Sequence, residues 1–83
     1  MQDLILTAED LAMRAKVART RSKETQQQAA DHLGVHRQTI SDAENQPEKN
    51  LNPVRARLIE HYEGVEVLPV WLVRQNDESP DQD

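Results

Sequence analysis

The stretch from Thr25 to Glu44, Thr-Gln-Gln-Gln-Ala-Ala-Asp-His-Leu-Gly-Val-His-Arg-Gln-Thr-Ile-Ser-Asp-Ala-Glu, constrains the fold of this chain more than any other. Thr25 is a good N-cap, and the glutamines and alanines after it range from tolerable to strong helix formers. Gly34 can take the positive φ that ends a helix, and Val35 places an apolar side chain in the corner. His36 or Arg37 then opens a second helix, in which Ile40 and Ala43 face inward while Arg37, Gln38, Ser41 and Asp42 face outward. The spacing predicts helices over 26–33 and about 36–45, with apolar residues only where two crossed helices touch.

Two helices crossed at such a turn form a helix-turn-helix, whose second helix can lie in the major groove of DNA. The same residues carry a family resemblance. Thr25-Gln26, Ala30, Leu33-Gly34-Val35, Thr39-Ile40-Ser41 and Glu44 stand at the spacings of the phage-repressor (Xre/Cro) helix-turn-helix proteins. With a first helix and Tyr62-Glu63-Gly64-Val65 included, the resemblance spans residues 8 to 65. Two places depart from the family pattern. Gln46 stands where glycine is frequent, and Lys23-Glu24 replaces a Gly-apolar pair. The resemblance implies an all-α, lambda-repressor-like DNA-binding domain of four to five helices.

A formal net charge of −5 argues against a nucleic-acid partner, because phosphate contacts dominate affinity. The distribution answers that objection. Residues 77–83 hold four acids and no base, whereas residues 14–57 hold nine Lys or Arg against five Asp or Glu, a local excess of four. That asymmetry predicts an acidic disordered tail over 77–83 behind a single domain over 1–76. With 83 residues the core is modest. The absence of cysteine excludes disulfides and thiolate chemistry. No apolar run reaches membrane-spanning length, and Met1-Gln2-Asp3 lacks a basic n-region, so the expectation is a cytoplasmic protein with no membrane partner.

Thr7 and Asp10 form a capping box that starts helix 1, with Leu6 and Leu11 as a hydrophobic staple. Leu11, Ala15 and Ala18 make its apolar stripe, and Arg14 and Lys16 read as solvated. Asn45 to Leu51 is a polar loop containing Pro47. Asn52 reads as the N-cap of a fourth helix with Pro53 at N1; Val54, Leu58, Ile59 and Tyr62 give its stripe, and Gly64 stops it. Over 65–73 two readings stand: a short C-terminal strand, from the Val65/Val67 alternation and the β propensity of Val70 to Val73, or a fifth helix opened by Pro69.

The resembled family assigns roles to several side chains. A glutamine at the position of Gln26 meets a DNA phosphate and supports the start of the recognition helix, which needs an amide that donates and accepts. An arginine late in helix 1 pairs with the glutamate that ends helix 3, a match to Arg19 and Glu44. Arg37 and Gln38 occupy the end of helix 3 that points at base edges. An Arg fork suits guanine O6 and N7, and a Gln amide suits adenine N6 and N7, although either side chain can settle on phosphate. Ser41 shares that face. Asp42 can accept from cytosine N4 or, the preferred reading, orient Gln38 across one helical turn. His36 (also the expected helix cap), Asn45, Arg21 and Lys23 are phosphate candidates.

Enzymatic and metal readings find little. His32 and His36 have metal-pair separation, but Gly34 breaks the helix between them and a third ligand is missing. Ser41 and Asp42 have no histidine placed to activate a nucleophile. No cofactor is implied. One reading head covers too few base pairs for useful specificity, so such operators are read by dimers. The apolar segment left after four helices pack is Val65, Val67, Leu68, Val70, Trp71, Leu72 and Val73, and Val70 to Val73 are its expected homodimer contacts; the alternative is that Trp71 caps the monomer's own core. The chain therefore reads as a sequence-specific regulator of transcription on double-stranded DNA, a repressor that occludes a promoter as a dimer. The alternatives are an antitoxin that represses its own promoter and binds a toxin, or an interaction adaptor that has lost DNA reading.

Overall fold

The computed structural model describes residues 6–69, which form four helices: α1 (Ala8–Arg21), α2 (Gln26–Leu33), α3 (Arg37–Asn45) and α4 (Asn52–Glu63). Local chemistry starts the first two. Thr7 Oγ1 accepts from the Asp10 amide at 3.1 Å while the Thr7 amide donates to Asp10 Oδ2 at 3.3 Å. The Thr25–Gln28 pair repeats the box, at 3.0 and 2.8 Å. Each box satisfies two of the amides a helix N-terminus leaves without partners. Gly34 and Gly64, at φ 71° and 69°, end α2 and α4 in the left-handed conformation that glycine adopts without strain.

Helix α1 packs against α4, and α2 against α3. Between them lie Ala12, Ala15, Ala18, Ala29, Ala30, Leu33, Ile40, Ala43, Leu58 and Ile59. Six of these ten are alanine, so the helices approach closely and little apolar surface is available per residue to stabilise them.

Arg55 is fully buried in this core. Its Nε donates to Ala43 O at 2.7 Å, Nη2 to Gln46 O at 2.8 Å, and Nη1 to Lys49 O at 3.1 Å. These carbonyls belong to the end of α3 and to the loop after it. Helix α3 has no basic residue in its own last turn, and Arg55 supplies the positive charge from α4. The same guanidinium corrects the expected start of α4. Asn52 Oδ1 accepts from Arg55 Nη1 at 2.9 Å and does not cap; Leu51 holds the N-cap position and Asn52 is already helical.

Further expectations change for equally concrete reasons. Arg14 is not free in solvent: it grips Glu63 of α4 with Nε and Nη2, the shortest contact being 2.7 Å. Gln46 has φ −127°, which any residue adopts, so the turn after α3 needs no glycine. Lys23 does stand where a glycine would be at ease, with φ 59°. Residues 65–69 form neither helix nor strand, and the Val67 amide donates to Glu60 Oε2 at 2.9 Å. The expected strand therefore has no ladder among the described residues; the dimer candidates Val70 to Val73 and the acidic tail lie outside them.

Candidate nucleic-acid interface

Helix α3 opens with Arg37 and Gln38, both exposed, one residue after His36, which holds the N-cap position. His36 is exposed and makes no side-chain capping bond, so the expected cap is backbone only. The start of α2 is tied to this end. Arg37 Nη1 donates to Gln26 Oε1 at 3.2 Å, and Gln26 Nε2 donates to Glu44 Oε1 at 3.2 Å. One amide thus spans both ends of the recognition helix, its oxygen towards the cation and its nitrogen towards the carboxylate.

Glu44 is held in turn by Arg19. Arg19 Nε lies 2.6 Å from Glu44 Oε2, and Nη2 lies 2.9 Å from Oε1, a bidentate pair in which the glutamate side chain has no solvent exposure. Arg19 Nη1 also donates to the carbonyl of Glu24 at 2.6 Å. The hydrogen bond to Glu44, opposed by burial, raises the Arg19 pKa. The relay Arg19–Glu44–Gln26–Arg37 fixes α3 to α1 and α2.

Farther along α3, Gln38 Nε2 donates to Asp42 Oδ1 at 2.8 Å, across one turn. Asp42 also accepts from Lys49 Nζ at 2.9 Å and from Gln46 Nε2 at 3.1 Å. The hydrogen bond from Lys49, then that from Gln38, hold the Asp42 carboxyl below its ordinary range. Ser41 is half-buried beside Asp42. Asn45, at the end of the helix, donates to Ser41 O at 3.0 Å and lies 3.5 Å from Lys16 Nζ.

Two expected phosphate ligands stand apart from this cluster. Arg21 is two residues from Arg19, which on a helix is a rotation of about 200°. It lines the α1–α4 groove with Met13, Tyr62 and Glu63. Lys23 is exposed in the turn before Thr25. Conversely, Lys16 and Lys49 reach the α3 surface and were not among the sequence candidates; Lys49 sits in a polar loop where spacing carries no periodic signal.

Away from α3, Glu24 fills the position where the family has an apolar residue. Its Oε1 accepts from Tyr62 Oη at 2.9 Å and lies 2.8 Å from His32 Nε2, and the His32 ring stacks on His61 at 4.6 Å. Among the described residues no three His, Cys, Asp or Glu side chains are placed to hold a metal ion. No helix among them is long and apolar enough to cross a membrane.

A helix-turn-helix family model matches residues 22–68, from the turn after α1 past the end of α4. Comparison with curated proteins and with solved structures gave no match. The matched segment covers more than half of the chain and contains α2, α3 and α4. The chain belongs to the Xre/Cro-like helix-turn-helix family of non-enzymatic DNA-binding domains.

Proposed function

We infer that this protein is a transcriptional repressor that reads a specific duplex sequence through α3 and excludes polymerase by occupying a promoter. The observation that carries the reading is the Gln26–Arg37 bond, 3.2 Å long, which joins the N-termini of α2 and α3 on one surface. In that role Arg37, Gln38 and Ser41 face base edges, and Asp42 orients Gln38. Gln26, His36, Asn45 and Lys23 face phosphates, and Arg19 with Glu44 keeps the reading head in place. Arg21 is a weaker member of the phosphate set because it lies beside Glu63. Selection from random duplex DNA tests this: an enriched sequence whose binding weakens steeply with salt is expected. No enrichment even at low salt would sink it.

Dimeric action, on half-sites about 34 Å apart, is supported by the exposure of Val65 and Leu68 as the chain approaches Val70, Trp71, Leu72 and Val73. Light scattering of the wild type and of Leu72→Glu or Val70→Glu checks it. A monomer at micromolar concentration with cooperative DNA binding intact removes that segment from assembly.

A second reading is an antitoxin or interaction adaptor, favoured by Met13 and Val17. Both are exposed on α1, and both line the groove beside Tyr62. A partner there would leave α3 free. Salt dependence separates the adaptor from the repressor, since an adaptor has no counterions to release from DNA; an antitoxin keeps that dependence and is marked by capture of a protein partner.

A further inference from the structure

The Gln38–Asp42–Lys49 contacts do more than tidy an acidic residue at a DNA surface. Asp42 and Lys49 come from different elements, and the loop that carries Lys49 is built onto the core. Arg55 binds the carbonyls of Gln46 and Lys49, the Lys49 amide donates to Gln46 O at 3.0 Å, and the Leu51 amide donates to Lys49 O at 2.8 Å. Lys49 is therefore presented to Asp42 by a backbone anchored on a fully buried guanidinium. Gln46 adds a donor that a glycine at this position could not supply. Asp42, its side chain 13 % exposed, is the acceptor for all three.

This geometry decides which way the Gln38 amide faces. A carboxylate only accepts, so the Gln38 nitrogen, not its oxygen, must turn towards Asp42. One of its two N–H groups is then committed, at 2.8 Å. What remains for a base is one donor and one acceptor. Adenine offers the complementary pair in the major groove, N7 as acceptor and N6 as donor. Guanine offers two acceptors, N7 and O6. Satisfying both takes two donors, and the Gln38 oxygen would face O6 with no hydrogen between them.

We propose that Asp42 and Lys49 set the base preference of Gln38, favouring adenine over guanine at the base pair it faces, with Lys49 as the positioning residue that keeps Asp42 in place. The proposal rests on the DNA-reading function above. Lys49 also cancels the charge of Asp42, which would otherwise repel phosphates from the middle of the reading face.

The test is selection on random duplex DNA followed by competition binding with adenine or guanine at each base pair of the enriched site. Gln38→Ala first identifies the base pair, as the one where preference vanishes. The wild type should favour adenine there by about tenfold or more. Asp42→Ala should bring that ratio towards one while strengthening binding to all sequences, because a negative charge is gone. Lys49→Met should weaken binding generally and lower the same ratio, and Lys49→Arg should restore it. Thermal unfolding of each variant keeps loss of fold apart from loss of reading. If Asp42→Ala leaves the adenine-to-guanine ratio unchanged, the proposal is overturned while DNA reading stands. If Lys49→Met weakens all sequences with the ratio intact, Lys49 is a phosphate ligand and its positioning role is overturned. A wild type that enriches no sequence overturns the function itself, and this inference with it.

Discussion

Arg55 Nε meets the carbonyl of Ala43 at 2.7 Å, joining α4 to the last turn of α3 through a side chain with no exposure to solvent. Burial lowers the Arg55 pKa, yet a guanidinium starts so high that it stays charged at neutral pH. Its partners are neutral oxygens, at Ala43, Gln46, Lys49 and Asn52. Arg55→Met should therefore take the donor from Ala43 O and one of two donors from Gln46 O and Lys49 O, and cost about 2–4 kcal/mol. Arg55→Lys should recover little, because an ammonium has no planar fork to span them. Urea denaturation checks both. A loss below about 1 kcal/mol for the Met variant would mean that water replaces the guanidinium.

Lys23 occupies the left-handed region, φ 59°, in the turn from α1 to α2. An L-residue is strained there by about 1–2 kcal/mol, whereas glycine is not, although glycine loses more entropy on folding. Lys23→Gly should consequently stabilise the domain by up to about 1 kcal/mol. Lys23→Val should destabilise it, since a β-branched side chain fits that region worst. Thermal unfolding of the two variants must order them that way for the strain to be real.

The Arg19–Glu44 pair predicts coupled losses. Removing Arg19 leaves a carboxylate with no solvent exposure facing only the Gln26 amide. Arg19→Met should cost about 3–5 kcal/mol and weaken DNA binding in parallel. Replacing both, Arg19→Met with Glu44→Leu, should regain most of the stability but not the binding, because Gln26 then loses its anchor. A double-mutant cycle with no coupling energy would contradict the bidentate geometry.

What the sequence disclosed follows the range of each interaction. The Thr7 box, the Gly34 and Gly64 stops and the Gln38–Asp42 turn depend on residues three or four apart, and spacing exposes them. Arg14 reads as solvated because its partner Glu63 lies 49 residues away. The start of α4 shifts by one residue because Arg55 captures the Asn52 side chain, a competition that capping rules do not contain. Arg55 itself had a signal. It precedes Leu58, Ile59 and Tyr62 by three, four and seven residues, within the apolar stripe of α4, where a charged residue needs buried acceptors. Lys49 had none, since nothing in a loop's periodicity points a lysine at a helix two turns away.

Tyr62 is the one tyrosine of the chain, so its titration can be read without ambiguity. Burial, followed by the hydrogen bond it donates to Glu24, raises its pKa from 10.0 to about 12. The folded state therefore holds this proton more tightly than the unfolded chain does. The resulting stability is fully present below pH 10 and is lost as pH rises through about 12. Ultraviolet absorbance should show the phenol ionising near the upper value in folded protein, and near the ordinary value in urea. Glu24→Gln should lower the folded value, since it removes the carboxylate. Titration near 10 in the folded wild type would place Tyr62 in water, against its contact with Glu24.

Arg37 and Gln26 share a hydrogen bond but should fail differently. Arg37 projects from the first turn of α3 and is exposed, with Gln26 Oε1 as its one side-chain partner among the described residues. If its guanidinium reaches guanine, Arg37→Ala should cost about 1–3 kcal/mol on the preferred site and relax selectivity at a single base pair. Gln26 points its amide between Arg37 and Glu44, with the remaining N–H free for a phosphate oxygen. A phosphate carries no base identity, so Gln26→Ala should weaken all sequences by similar factors. It should also soften selectivity slightly, because Arg37 loses the oxygen that steers it. Competition binding on the preferred site and on single-base variants distinguishes the two. Arg37→Ala weakening every sequence equally would move Arg37 from the base edges to the backbone and leave Gln38 as the principal reader on α3.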